Sequence, residues 1–152
     1  MSEHRIELRW AREGAEFTRE NYSRSHQIQF PGGQTLRASA AAAYGGDPTH
    51  VDPEQQLLAA LSSCHMLTFL AVCANRGLVI EDYADQASTT LAKNAEGQTA
   101  LTLCTLRPKV RFAPQSGPDQ AQFAQLHARA HRACFIANSI RSEVQIEAEM
   151  LV

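Results

Sequence analysis

The chain has 152 residues, of which 44% are hydrophobic and 20% are charged, and its formal net charge is -2 at pH 7. This length and apolar content predict a single globular domain over residues 1–152 with a continuous core. Acidic and basic residues are interspersed, so the sequence lacks the basic surface that nucleic acid or an anionic membrane would require. We therefore expect neither as a partner.

The first third of the chain predicts antiparallel strands. Apolar and polar residues alternate over 6–10, 27–30 and 34–39, and the turn Pro31–Gly33 separates the last two segments. The opening residues lack the apolar segment of a secretory signal. We therefore expect a cytoplasmic location, where a reducing environment keeps cysteines as free thiols.

A long helix is predicted to begin near residue 52. Asp52 can cap it, Pro53 suits its first position, and Glu54 brings a carboxylate to the positive end of the helix dipole. Apolar residues then surround the helix almost completely until Gly77, a typical C-terminal glycine. The sequence predicts a helix buried on most sides at the centre of the core, too short and too polar to span a membrane.

The rest of the chain predicts a sheet, a second helix and a last strand. Residues 86–93 and 99–112 read as a long hairpin around the turn Asn94–Gly97. A helix is expected over 119–134, and residues 144–150 alternate as a final strand. Helices packed on antiparallel strands make an α+β domain.

Four cysteines, at positions 64, 73, 104 and 134, show neither C-x-x-C spacing nor clustered histidines, so a metal site is not indicated. Cys64 lies on the first predicted helix and Cys134 at the end of the second, so two packed helices could bring their thiols together. Cys73 and Cys104 are expected to be core residues. A reactive thiol needs a cation or hydrogen-bond donor that lowers its pKa from about 8.5.

Arg24 is the predicted cation, with Arg19 as the alternative, because the polar segment 19–26 has no core pattern of its own. Glu54 precedes Cys64 by ten residues, about 15 Å along a helix, so it cannot touch the sulfur unless the helix breaks. Its predicted role is to hold the arginine by a bidentate ion pair. The simpler interpretations are a first-turn carboxylate for Glu54 and a solvated charge for Arg24.

Three histidines are candidate functional residues. His127 and His131 lie four residues apart, the spacing of two metal ligands on a helix, but no third ligand is indicated, and solvated helix positions are expected. His65 follows Cys64 directly, and neighbours on a helix diverge by about 100°, so a hydrogen-bonded structural role is expected.

The segment Asp52–Met66, followed downstream by Cys134 and Asn138-Ser139, resembles the OsmC/Ohr family of osmotically inducible and organic hydroperoxide resistance proteins. The resemblance implies an OsmC-like fold, with antiparallel sheets packed around a buried central helix and a second helix, in an intertwined homodimer. It also implies a cofactor-free thiol peroxidase that reduces organic hydroperoxides.

Carried over by position, the resemblance makes Cys64 the peroxidatic cysteine, Cys134 the resolving cysteine, and Glu54 the residue that positions Arg24. It implies a Cys64 sulfenic acid that condenses with Cys134 to a disulfide, which dihydrolipoamide or a lipoylated protein reduces. The family's Arg-Asp-Gly loop is absent, and Phe135 stands where many relatives have proline. These departures leave a non-enzymatic redox-sensing or apolar-ligand-binding module as the alternative.

Overall fold

The computed structural model describes residues 1–14 and 16–151. The chain forms two compact units, residues 1–56 and 57–152. The single domain expected over residues 1–152 stays a prediction.

The first unit is built on a three-stranded antiparallel sheet. Its strands β1 (Glu7–Arg9), β2 (His26–Gln29) and β3 (Thr35–Ala38) lie side by side in that order. Gly33 lies in the turn between β2 and β3 with φ 84°, a left-handed conformation that favours glycine. The three strands and the turn predicted from the sequence are confirmed.

Helix α1 (Pro53–Ala74) has the ends that the sequence predicts. Asp52 Oδ1 accepts a hydrogen bond from the Gln55 N–H at 2.7 Å, and Gln55 Oε1 accepts one from the Asp52 N–H at 3.1 Å, which together form a capping box. After the last turn, Gly77 adopts φ 71° and its N–H donates to the Ala74 carbonyl at 3.0 Å.

A smaller part of the surface of α1 is buried than the sequence predicts. Its buried residues form one stripe at four-residue spacing: Leu61, His65, Phe69 and Cys73. Leu67, off this stripe, is 60% exposed. The prediction of a helix buried on most sides is therefore wrong for the single chain. By length and composition alone α1 could cross a membrane, a criterion that core helices of soluble proteins also meet.

The second unit contains two mixed three-stranded sheets. The first has the order β4-β7-β9 and the second β5-β6-β8, and the strand bounds are β4 (Ile80–Asp85), β5 (Ser88–Lys93), β6 (Thr99–Leu106), β7 (Pro108–Phe112), β8 (Glu143–Ile146) and β9 (Glu149–Leu151). The pairs β4–β7 and β5–β6 are antiparallel, whereas β6–β8 and β7–β9 are parallel. The prediction of purely antiparallel sheets is wrong, because the helical connection before β8 returns the chain in the direction of β6.

Two predicted strands are each divided between the two sheets. The segment 99–112 breaks at Arg107 into β6 and β7, and the segment 144–150 breaks into β8 and β9. The Arg107 N–H donates to Asp85 Oδ1 at 2.7 Å, and Arg107 Nε donates to Glu147 Oε2 at 2.8 Å, so the two crossings lie side by side. The predicted turn at residues 94–97 is confirmed, whereas β4 was not predicted.

Helix α2 (Gln120–Ala133) confirms the second predicted helix. Asp119 and Gln122 form a capping box at its start. Its buried face joins a larger core cluster, formed by Phe69, Cys73, Val110, Phe112, Phe123, Leu126 and Ala130. A smaller cluster is formed by Leu61, Cys104, Leu106 and Cys134. This smaller cluster positions the two candidate thiols.

Candidate thiol site

Cys64 and Cys134 lie together at the smaller core cluster. Cys64 is half-buried on α1, and Cys134 directly follows α2 with no exposed surface. Both are free thiols, and the Cys134 thiol donates a hydrogen bond to the Cys64 sulfur. The prediction that two packed helices bring these thiols together is confirmed.

The surroundings of Cys64 favour its thiolate. Burial raises the pKa of Cys64, but hydrogen bonds from the Cys134 thiol, from the main-chain N–H groups of Ile136 and Phe135, and from Thr68 outweigh burial and lower it overall. The Thr68 hydroxyl has a single proton, which it donates to the Cys64 carbonyl at 2.8 Å. The thiol and the two main-chain groups are therefore the main donors, and all of them are neutral.

The surroundings of Cys134 disfavour its thiolate. Burial raises the pKa of Cys134 to about 11, and the hydrogen bond that it donates to Cys64 contributes in the same direction. The Ala137 N–H donates to Cys134 Sγ at 3.4 Å and opposes this rise only in part. The two thiols are thus asymmetric, because their surroundings favour loss of the proton from Cys64 over its loss from Cys134.

Arg24, the predicted cation, is held by its own segment within the first unit. Its guanidinium donates to the Arg19 carbonyl at 2.8 Å and the Tyr22 carbonyl at 3.2 Å, and it lies 4.3 Å from the centroid of the Tyr22 ring. Gly45, with φ 76°, makes room for it, because a Cβ there would lie 3.2 Å from Arg24 Cζ. Arg19, the alternative cation, contributes its main-chain carbonyl oxygen as a hydrogen-bond acceptor for the Arg24 guanidinium.

Glu54 lies in the first turn of α1, and its Oε2 is buried without a hydrogen-bond partner among the described residues. Within residues 1–14 and 16–151, no salt bridge joins Glu54 to Arg24. The predicted ion pair is therefore not formed in this structure. The functional roles of both residues stay predictions.

A cavity of about 420 Å³ lies in the first unit. Its walls are mainly apolar and aromatic, with Leu8, Trp10, Phe17 and Tyr22 beside Arg24. Small-molecule sites begin at about 300 Å³ and are commonly apolar with a few polar groups. The cavity is thus large enough for a small apolar ligand.

His65 and His127 form a buried pair in the second unit. His65 Nε2 lies 3.0 Å from His127 Nδ1, and the two rings stack with their centroids 5.4 Å apart. The structural role expected for His65 is confirmed. The solvated position expected for His127 is wrong, since its side chain packs on Phe69 and it is only 3% exposed.

The sequence carries a signal for this pair in the spacing of apolar residues on each helix. His65 lies four residues after Leu61, and His127 four residues after Phe123, so each continues the buried stripe of its helix. Burial, with a smaller contribution from His131, lowers the pKa of His65 to about 4, and burial with His65 lowers that of His127 to about 3. Among the described residues, no group of three side chains could hold a metal ion.

Cys73 and Cys104 are buried in the two core clusters. Cys73 packs with Phe69 and the strands of the first mixed sheet, and burial raises its pKa to about 11. The prediction that these two cysteines are core residues is confirmed.

The fold and the thiol site can be compared with known proteins. A family model described as OsmC-like protein matches residues 45–149. The chain belongs to the OsmC-like protein family. This OsmC-like protein therefore has the family's α+β fold, with two α-helices and three small sheets among the described residues. No curated protein matches it.

Solved structures share this OsmC-like fold over nearly the whole chain. An OsmC-like protein of unknown function from Vibrio cholerae is 42% identical, with a TM-score of 0.91 and coverage of 99% of this chain and 100% of that one. An organic hydroperoxide resistance protein OsmC from Legionella pneumophila is 19% identical (TM-score 0.72, coverage 99% and 98%). The organic hydroperoxide resistance protein OhrB of Bacillus subtilis is 18% identical (TM-score 0.62, coverage 97% of each chain). The last two likenesses show the fold alone.

Proposed function

We propose that this OsmC-like protein is a thiol-dependent peroxidase that reduces organic hydroperoxides to alcohols. The observation that carries the proposal is the contact between Cys64 and Cys134, two free thiols of opposite pKa shift. A thiolate beside a protonated thiol is what a two-cysteine peroxidase cycle requires, because one sulfur attacks and the other resolves.

The proposed cycle balances without a cofactor. The Cys64 thiolate attacks one peroxide oxygen, an S–O bond forms as the O–O bond breaks, and the leaving alkoxide takes a proton to become the alcohol. The Cys134 thiol then displaces hydroxide from the Cys64 sulfenic acid, which leaves as water with the Cys134 proton, and a disulfide forms. An external dithiol reduces this disulfide by two exchange steps, and we propose dihydrolipoamide or a lipoylated protein as that reductant.

The proposal keeps the family-derived roles of Arg24 and Glu54. Arg24 would stabilise the charge that develops on the leaving oxygen, and Glu54 would position Arg24. The names of the Legionella and Bacillus relatives support an organic hydroperoxide as the substrate. The proposal also includes a cytoplasmic location. It includes a homodimer as well, and the exposed Leu67 of α1 supports the homodimer, since a second copy of the chain could cover this side chain.

The direct test is catalytic turnover. Cumene hydroperoxide is mixed with dihydrolipoamide and a small amount of protein, and loss of peroxide is followed for the wild type, Cys64→Ser and Cys73→Ala. Cys73→Ala is the matched control, because it changes a cysteine on the same helix that packs in the other core cluster. The proposal expects many turnovers from the wild type and the control and none from Cys64→Ser. An unchanged rate in Cys64→Ser would refute it.

A second candidate function is a ligand-binding module, favoured by the apolar cavity of the first unit. Trp10, the one tryptophan of the chain, lines this cavity and reports on its contents. Saturable quenching of Trp10 fluorescence by 1-octanol, together with oxidation of Cys64 that never turns over, would favour this candidate. Quenching that does not saturate would exclude it.

A further inference from the structure

A cleft of about 320 Å³ lies in the second unit, between α2 and the end of the chain that carries β8. The α2 residues that line it recur at spacings of three or four and therefore share one face of the helix: Gln120, Phe123, Ala124, His127, Ala128 and His131. Val144 and Ile146, alternate residues of β8, line it together with Ala148. The cleft is large enough for a small molecule.

Two histidines that line the cleft have ring nitrogens without a partner. His127 is only 3% exposed, and its Nε2 is buried with no hydrogen bond to any described residue. His131 lies one turn further along the same face of α2, and its Nδ1 is buried and unpartnered in the same sense. Buried polar side-chain atoms are mostly hydrogen-bonded in folded proteins. The cleft therefore has polar groups that the described part of the chain does not satisfy.

The pairing of His65 with His127 restricts the kind of group that can satisfy His127 Nε2. Burial lowers the pKa of His65 to about 4 and that of His127 to about 3, so both rings are neutral at neutral pH. In a neutral pair one ring donates and the other accepts, so His127 Nε2 is an N–H donor in one arrangement and an acceptor in the other. A hydroxyl group both donates and accepts, and it can satisfy Nε2 in either arrangement.

The other walls of the cleft favour an apolar molecule. Phe123, Val144 and Ile146 are apolar, and the small side chains of the three alanines leave room between α2 and β8. None of the described residues that line the cleft is acidic, a lysine or an arginine, so a charged ligand would have no counter-ion there. Apolar cavities tend to exclude water and to accept apolar molecules. An apolar body with one hydroxyl group therefore matches the cleft better than water or an anion.

We propose that the cleft between α2 and β8 is a binding site for a small, uncharged aromatic or aliphatic alcohol, whose hydroxyl group is the missing hydrogen-bond partner of His127 Nε2. His131 supplies a second nitrogen on the same face of α2. The site lies in the second unit and is distinct from the apolar cavity of the first unit. It requires no reaction at Cys64, so the inference is independent of the proposed peroxidase.

The test uses benzyl alcohol and toluene as probes, which share a ring and differ in the hydroxyl group. The protein is labelled with ¹⁵N-histidine, and the ring nitrogens are followed by long-range ¹H–¹⁵N spectra at pH 8, above the ordinary histidine pKa of about 6.5. Ala128→Leu fills the cleft and keeps both histidines. Ala121→Leu is the matched control, because it makes the same exchange at an exposed position of α2 outside the cleft.

We expect benzyl alcohol to shift the ring-nitrogen signals of His127 saturably in the wild type and in Ala121→Leu. Ala128→Leu is expected to abolish this shift. An absent or non-saturating shift overturns the site, as it would if a second copy of the chain covered the cleft. A saturable shift that persists in Ala128→Leu also overturns it, because the alcohol would then bind elsewhere.

His127→Phe tests the hydrogen bond itself, since it keeps an aromatic ring and removes Nε2. This variant should bind benzyl alcohol about three- to tenfold more weakly than the wild type does and should not lose affinity for toluene. An equal loss for both probes, or no loss for either, overturns the role of the hydroxyl group. Circular dichroism shows whether the variant folds. If it does not, the wild-type spectra decide, because only the alcohol should change the Nε2 signal of His127 as a hydrogen bond does.

Discussion

The thiol of Cys134 donates a hydrogen bond to the sulfur of Cys64. Cys134 holds its proton more tightly than Cys64, because burial and this hydrogen bond raise the pKa of Cys134 to about 11, whereas hydrogen bonding lowers the pKa of Cys64. The chemical difference between two identical residues thus comes from their surroundings. The first two predictions test this difference between the thiols of Cys64 and Cys134.

The first prediction concerns the order in which the cysteines react. Under native conditions at neutral pH, iodoacetamide should modify Cys64 well before Cys134 and Cys73, because burial raises the pKa of both of these thiols to about 11. Peptide mass spectrometry over a time course measures each site. In denaturant, where the environments are lost, the sites should react at similar rates. Modification of Cys134 before Cys64 would contradict the assignment of roles.

The second prediction separates the two functions of Cys134. Cys134→Ser keeps a hydroxyl donor beside Cys64, whereas Cys134→Ala removes the donor, and neither can form the disulfide. The pKa of Cys64 should therefore rise by about one unit in the alanine variant and change less in the serine variant. Both variants should accumulate sulfenic acid at Cys64 after peroxide, detectable with dimedone. Equal pKa values in the two variants would show that the Cys134 donor has no effect.

The third prediction concerns stability at acid pH. His65 and His127 have folded-state pKa values of about 4 and about 3, below the usual 6.5, so the unfolded chain binds more protons than the folded chain. The stability they contribute is complete above pH 6.5 and is lost as the pH falls from 6.5 towards 4 and 3. The groups that act on His65 are His131, which lowers its pKa further, and Asp85, which raises it.

Urea unfolding at pH 7.5 and pH 5 tests this linkage. We expect the free energy of unfolding to fall by about 1 to 2 kcal/mol for each buried histidine over this interval. His127→Phe, which places a third aromatic ring between Phe69 and Phe123, should lose about half of the pH dependence. An unchanged pH dependence in this variant would show that His127 does not contribute to the pH dependence of the free energy of unfolding.

The fourth prediction concerns the crossing between the two sheets. Asp85 accepts hydrogen bonds from Ser62 Oγ at 2.5 Å and from the Arg107 N–H at 2.7 Å, so it ties α1 to the point where β6 becomes β7. Asp85→Ala should lower the free energy of unfolding by about 1 to 3 kcal/mol. Asp82→Ala, an exposed aspartate on the same strand, should change it by less than about 0.5 kcal/mol. Equal effects on the urea midpoint would show that the Asp85 bonds contribute no stability.

The helices could be predicted because their signals are local. Asp52 and Pro53 mark the start of α1, Gly77 follows its end, and Asp119 caps α2. The strand pairing could not be predicted in this way. The parallel pairs depend on the path of the chain through α2, and the break at Arg107 is stabilised by Asp85 and Glu147, which are distant in sequence.

Of the groups in the candidate site, only the side chains could be predicted from the sequence. The spacing of Cys64 and Cys134 on two helices indicated their contact, and the family resemblance implied their roles. The main-chain donors of Ile136 and Phe135 leave no mark in the sequence, because every residue except proline has an N–H. The sequence therefore predicts an arginine as the group that lowers the pKa of Cys64, whereas the hydrogen-bond donors that lower it in the structure are neutral.

The most direct test of the proposed peroxidase is the fate of the thiols after one equivalent of cumene hydroperoxide. The intact mass and the free-thiol count of the reduced protein are measured before and after the addition, and the disulfide is mapped by peptide mass spectrometry. The proposed cycle predicts a rapid loss of two thiols and about 2 Da, with a single Cys64–Cys134 disulfide. Four free thiols and an unchanged mass after several minutes would contradict it, as would a disulfide that excludes Cys64.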